Sequence, residues 1–271
     1  MLRSLWTAAS GMKSQQTNVD TISNNLANIN TTGYKAERVE FQSLLYQTIQ
    51  GTTYDSEGDV KPIPAQVGLG VRSSAITSQF TQGALADSDG AFDFAIEGDG
   101  FFRVQLTDGS IGYTRGGSLQ MAVDTDGMTL ATAAGYPVLD TNGDKVTVPA
   151  TYNTALLQVD TAGNLMYPDE NNNMQKIGIQ IGLAQFNNPA GLEKASDSIL
   201  KETAASGTPR LEAEDGDLTK SKLHQGYLEG SNVSAADEMV NLIIAQRAYE
   251  MNSKAITASD EMLQQANNLR G

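Results

Sequence analysis

The sequence predicts an α+β protein with long N- and C-terminal α-helices packed as a coiled-coil-like pair, a central all-β domain and an extended arm. Three observations carry this prediction. Apolar residues recur at steps of three and four near both ends of the chain, but cluster or alternate as in strands from Val71 to about Thr219. Dipeptides that favour tight hairpins, Asp108-Gly109, Asp126-Gly127, Asn142-Gly143 and Gly163-Asn164, punctuate that middle stretch. No glycine or proline interrupts the chain between Ser234 and Asn268, so one long helix is expected there.

The first element is a helix whose apolar residues, Leu5, Ala8, Met12, Val19, Ile22 and Leu26, form an a/d seam broken only by Gln15. That seam asks for a partner. An asparagine-rich turn follows, and Gly33 is expected to end the helix in the left-handed conformation. From Tyr34 to Gln50 the residues Phe41, Leu44, Leu45, Tyr46 and Ile49 fit a short helix or an extended segment equally well. Gly51, Gly58, Pro62, Pro64, Gly68 and Gly70 then mark a connector.

In the central region, Phe92–Ile96, Gly100–Leu106, Val146–Val148 and Ile177–Ile181 read as strands. The last helix starts at Ser234, a hydroxyl N-cap, with Asp237 and Glu238 at its positive end. Two stripes run along it. Leu242, Ala245, Tyr249, Asn252, Ile256, Ser259, Leu263 and Ala266 form one, and Ile244, Ala248, Met251, Ala255, Ala258, Met262, Gln265 and Leu269 the other. The first helix can cover one stripe; the other is expected to meet a second copy of the chain. The division that follows is residues 1–32 with 225–271 as a helical domain, 33–70 as arm with 217–224 as its return strand, and 71–216 as β domain.

Composition narrows the function. The 271 residues carry a net charge of −14, and only 6% are aromatic. Residues 1–50 hold four bases against three acids and residues 221–271 four against six, so the acid excess lies in the middle. Near-neutral ends suit burial against other chains, and the absence of a basic patch argues against nucleic acid or an anionic membrane as partner. No run approaches a membrane span, and no cleavable signal is read at the N-terminus.

Catalytic chemistry lacks parts. There is no cysteine, and His224 is the single histidine, so neither a nucleophilic triad of the usual kind nor a histidine-bearing zinc site can be assembled. Asp140-Thr141-Asn142-Gly143-Asp144 begins like a calcium loop, but Lys145 and Thr151 stand where glycine and glutamate are required. Glu97-Gly98-Asp99-Gly100-Phe101 lacks the rest of a phosphate loop. No catalytic residue, cofactor or metal is expected.

Read together, the two ends resemble the bacterial flagellar rod and hook family. The N-terminal run Ser23-Asn24-Asn25-Leu26-Ala27-Asn28-Ile29-Asn30-Thr31-Thr32-Gly33-Tyr34-Lys35 is similar to its Asn-Asn-Leu-Ala-Asn, Thr-x-Gly, aromatic, Lys signature. Gln225–Val233, Glu238–Ile243 and Gln246-Arg247-Ala248-Tyr249, continuing to Ala255, resemble its C-terminal helix. Arg3–Trp6, Phe41–Ile49, Gly68–Arg72, Gly98–Phe102 and Tyr113-Thr114-Arg115 look like the distal-rod branch. The resemblance is thinnest between Asp124 and Gly216.

The resemblance implies a non-enzymatic subunit, exported without cleavage through the flagellar type III apparatus and polymerised helically into a hollow, rigid drive shaft in the periplasm. Its implied partners are copies of itself, proximal rod and hook proteins, ring proteins acting as a bushing, and the export apparatus and rod cap during assembly. A segment matching Tyr46–Val67 is implied as the arm that stiffens the shaft. Leu5, Met12, Val19, Ile22, Leu26, Tyr249, Ile256 and Leu263 are the expected subunit-packing residues. The alternatives are a hook or proximal rod subunit, a secreted β-rich adhesin or glycan-binding module, and a carboxylate hydrolase.

Overall fold

A computed structural model of the chain describes residues 2–50, 65–124, 127–149, 151–169, 173–196 and 198–268. It separates into two compact units, one made of Met1–Ala27, Glu37–Thr77 and Ser234–Gly271, the other of Asn28–Ala36 and Ser78–Val233.

The first unit is built on α1 (Leu2–Ala27) and α2 (Ala235–Asn268). Ser234 caps α2 as expected: its hydroxyl accepts the Asp237 N–H at 3.5 Å and its carbonyl the Glu238 N–H at 3.0 Å. The helices run antiparallel. Ser4 Oγ lies 3.3 Å from Ser259 Oγ, a Cβ on Gly11 would lie 2.9 Å from Asn252 Nδ2, and Asn25 hydrogen-bonds the Glu238 carboxyl. Those contacts fall at steps of seven or twice seven on both helices, and the same step sets Asn18 against the buried Ala245. The line of closest approach is therefore small and polar, and the bulkier Leu5, Met12, Val19 and Leu26 are only half-buried beside it.

Gly33 does not end α1, which stops six residues earlier at Ala27. Its left-handed φ of +68° serves a later turn, and a Cβ there would lie 2.7 Å from the Arg115 backbone. The segment that could have been helix or extended is extended. It forms β1 (Glu37–Ser43) and β2 (Tyr46–Gln50), which pair with β4 (Val71–Ser78) and β3 (Ala65–Gly68) respectively. Gly70 holds the last pair of strands against α1: at φ +115° its hydrogen faces Ser10 where a Cβ would collide with the hydroxyl, which accepts the Val71 N–H at 3.3 Å. Residues 51–64, with Pro62 and Pro64, lie outside the described residues, as does Leu269 of the second stripe.

In the second unit, β6 (Phe94–Glu97), β7 (Phe101–Gln105) and β8 (Ile111–Thr114) follow β5 (Leu85–Asp87). Next come β9 (Leu119–Asp124), β10 (Gly127–Thr132), β11 (Thr147–Val148), β12 (Gln158–Val159), β13 (Asn164–Pro168) and β14 (Met174–Gln180). The remainder are β15 (Leu183–Gln185), β16 (Glu193–Lys194), β17 (Ile199–Lys201), β18 (Arg210–Leu211), β19 (Lys222–Gln225) and β20 (Tyr227–Glu229). A six-stranded sheet, ordered β16-β17-β8-β7-β15-β18, is flanked by three-stranded sheets β11-β10-β9 and β12-β13-β14. The hairpin glycines Gly109, Gly127, Gly143 and Gly163 all take positive φ, the backbone freedom that their turns require. Phe94, Ile96, Phe102, Val104, Leu130 and Ile181 fill the main core. On the other face of β7, Phe101, Tyr113 and Phe186 meet edge to face.

The units divide the chain differently from the sequence expectation. Residues 225–233 group with the β unit because β20 pairs with β5, and β19, which overlaps the expected return strand of the arm, pairs with β6. Residues 28–36 join them through a buried ion cluster.

Candidate assembly interface

The signature stretches at the two ends of the chain meet in that cluster, although 194 positions separate its central pair. Lys35 Nζ donates to Glu229 Oε1 at 2.6 Å and to the Thr81 carbonyl at 2.8 Å. Arg115 Nε reaches Glu229 Oε2 at 3.0 Å and Nη2 reaches Oε1 at 3.3 Å, while the Gly83 N–H adds a bond at 2.9 Å. Arg115 Nη1 donates to the Gly98 and Gly100 carbonyls at 2.7 and 2.5 Å. Glu229 is 1% exposed and Lys35 5%. Burial lowers the Lys35 pKa, opposed by its bond and attraction to Glu229. Two cations share one carboxylate, and backbone carbonyls satisfy the donors left over.

Next to this cluster, in the same unit, Gly33 donates its N–H to the Glu229 carbonyl at 2.8 Å. The Asn232 amide accepts the Ala36 N–H at 2.7 Å and donates to the Gln79 and Thr81 carbonyls at 2.8 and 3.2 Å. In the helical unit, Asn25 performs the equivalent task. Its amide donates to the Glu37 carbonyl and accepts the Glu37 N–H, both at 2.8 Å, so one side chain mimics a strand partner for the start of β1. Asn28 Oδ1 accepts the Thr31 hydroxyl at 3.0 Å, and Asn24 reaches the Glu37 carboxylate at 3.4 Å. Within the asparagine signature Asn25 is thus a buried backbone clamp, while Asn24 and Asn28 bond neighbouring side chains.

The remaining signature residues are half-buried or exposed. Tyr34 lies under the Lys194 ammonium, 5.7 Å from the ring centroid. On α2, Gln246, Arg247 and Tyr249 are exposed and Ala248 is half-buried; Arg247 pairs with Glu250 at 2.8 Å. Of the expected packing residues, Ile22 is buried, Leu5, Met12, Val19, Leu26, Ile256 and Leu263 are half-buried, and Tyr249 is 42% exposed. Ala27, at the end of α1, is exposed.

A lateral face of α2, one position round from the residues that meet α1, is apolar. Val240, Ile244, Met251 and Met262 are 51–65% exposed, with Ala255 and Ala258 between them. At 1.5 Å per residue this stripe runs about 33 Å along the helix. Trp6 on α1, and Leu45, Tyr46 and Ile49 around β2, are exposed as well.

Sequence reasoning assigned no role to Glu229, Arg115 or Asn232, although all three lie in stretches it singled out. The available signal was chemical: a lysine buried after a turn requires a carboxylate, but the sequence does not say which one. His224 pairs with Glu97 at 2.9 Å, and the Asp140 carboxylate accepts the Asn142 and Asp144 N–H groups as a turn would. Among the described residues no group of three or more histidines or carboxylates is placed to hold a metal ion, and no helix is long and apolar enough to cross a membrane.

Comparison with known proteins agrees with this geometry. Residues 5–35 match the family described as "Flagella basal body rod protein", residues 95–167 "Flagellar hook protein FlgE/F/G D1 domain", and residues 224–269 "Flagellar basal body rod FlgEFG protein C-terminal". The chain is 44% identical over 272 residues to the flagellar basal-body rod protein FlgG of Borreliella burgdorferi, covering 100% of this chain and 99% of that one. It is 38% identical to FlgG of Bacillus subtilis over the full length of both, and 32% identical to the flagellar hook-basal body complex protein FlhP of the same organism, again over both full lengths.

Proposed function

Because the chain belongs to the flagellar basal-body rod protein FlgG family, we propose that it is a structural, non-enzymatic subunit of the bacterial flagellar distal rod. In this reading it polymerises helically into a hollow, rigid shaft that transmits torque from motor to hook. The observation that carries the reading is the α2 stripe Val240, Ile244, Met251 and Met262, exposed on a chain that matches rod proteins from end to end. A surface that binds a different surface on the next copy, without closing a ring, generates an open helical polymer.

The heptad steps between Ser4, Gly11, Asn18 and Asn25 and their α2 partners support treating the terminal helices as a coiled-coil pair. Leu5, Met12, Val19, Leu26, Ile256 and Leu263, half-buried in one copy, then complete their burial against neighbours together with Tyr249. The paired strands β2 and β3, with exposed Tyr46 and Ile49, are the base of the stiffening arm. The rod stands in the periplasm, reached through the flagellar export apparatus and cap, between proximal rod and hook proteins and inside the ring bushing.

Full-length similarity to rod proteins, with lower identity to the hook-basal body protein FlhP, does not favour the hook, proximal rod or adhesin readings. Electron microscopy of the purified chain at rising concentration tests the proposal. Rigid tubes that are lost when about ten to twenty residues, about three to six helical turns, are trimmed from either end are expected. A monomer at every concentration, indifferent to trimming, would sink it.

A further inference from the structure

We propose that Met251 and Met262 form an oxidation-sensitive site whose conversion to sulfoxide switches the free subunit out of assembly; this rests on the reading of the α2 stripe as the assembly face. Met251 is 65% exposed and Met262 51%, the first the most exposed of the large apolar residues on α2. They stand three helical turns apart on one stripe, with Ala255 and Ala258 between, so their thioethers are the bulkiest groups along that half of it. The chain has no cysteine, so no thiol on the subunit competes for oxidant. Met12, Met121, Met128 and Met166 are half-buried; Met174 at 39% and Met239 at 51% are exposed but lie off this stripe, so oxidation there leaves it apolar.

The chemistry is simple. A hydroperoxide transfers one oxygen to the thioether sulfur; its O–O bond breaks, an S–O bond forms, sulfur is oxidised by two electrons, and the peroxide is reduced to water or an alcohol. The product is polar and chiral where the stripe was apolar and adaptable. In the monomer the new S–O group faces water, and the fold is unaffected because neither side chain packs in a core. In an assembled contact the same group must be desolvated without a partner, which is where it is costly. Assembly in turn buries the sulfurs, so subunits already in the polymer are protected.

The test is hydrogen peroxide treatment of the full chain, before and after assembly, followed by peptide mass spectrometry and sedimentation of polymer. Free subunits should gain oxygen at Met251 and Met262 ahead of Met12, Met121, Met128 and Met166, and polymer should not. The concentration needed for assembly should rise about tenfold or more, as expected when a buried polar group is left unpaired. The Met251→Leu, Met262→Leu double variant should assemble normally and keep assembling after peroxide. Oxidised wild-type chain that assembles like untreated chain overturns this inference alone, as does a double variant equally disabled by peroxide. Untreated chain that never assembles overturns the assembly reading beneath it.

Discussion

Glu229 collects four donors from Lys35, Gly83 and Arg115, and no water reaches it to replace any of them. Glu229→Ala therefore leaves two buried cations facing each other, and urea unfolding followed by the strand signal should show a loss of about 3–5 kcal/mol. Lys35→Met should cost less, because Glu229 keeps Arg115 and an apolar chain fills the lysine's path. Equal, small losses would remove the cluster from its structural role. At Glu238 the sign is opposite to that of a salt-bridged acid. Burial raises its pKa, with repulsion from Asp237 adding and the bond from Asn25 opposing. The folded state then binds the proton more tightly than the unfolded one, so stability grows as the pH falls from the raised value toward 4.5 and is level below. Glu238→Gln should flatten that slope in thermal melts between neutral pH and pH 4.5.

At the scale of elements, α1 and α2 leave no room for a side chain where Gly11 faces Asn252. Gly11→Ala brings a methyl to 2.9 Å from an amide that can swing aside, and gains helix propensity, so its melting temperature should stay near that of the parent. Gly11→Leu cannot be accommodated by an amide rotation. It should lower the helical melting transition, by about 1–3 kcal/mol as for other overpacked contacts, without moving the β unit's transition. Coincident loss of both signals would mean the two units do not unfold separately. Of the apolar seam read in the sequence, Ala8 and Ile22 are buried while Leu5, Met12, Val19 and Leu26 are half-buried beside the contacts of Ser4, Gly11 and Asn25. A shift of one position rotates a helix by about 100°, and periodicity alone does not say which of two adjacent stripes a partner will occupy.

For the whole molecule, the proposed assembly predicts separable contributions from the exposed stripe and the helix pair. Ile244→Asp places a charge on a side chain that is 60% exposed in the single chain, so circular dichroism should match the parent while sedimentation shows no polymer. Leu26→Asp acts on a half-buried residue of the helical unit and should reduce both polymer and helix signal, leaving the strand signal intact. If Ile244→Asp still forms tubes, the α2 stripe is not the contact.

The sequence by itself determined the helix at each end, the all-β middle, the capping serine, the hairpin glycines and the family. Each of these is written in neighbouring residues, through periods of two and 3.6 and through backbone angles that few side chains permit. Only the tertiary structure decided that the helices are antiparallel with Gly11 on Asn252, that Asn25 clamps Glu37, and that Lys35 is neutralised by Glu229. Those are contacts between residues from 12 to 241 positions apart, and a buried charge or a close approach specifies what its partner must be without specifying where in the chain it lies.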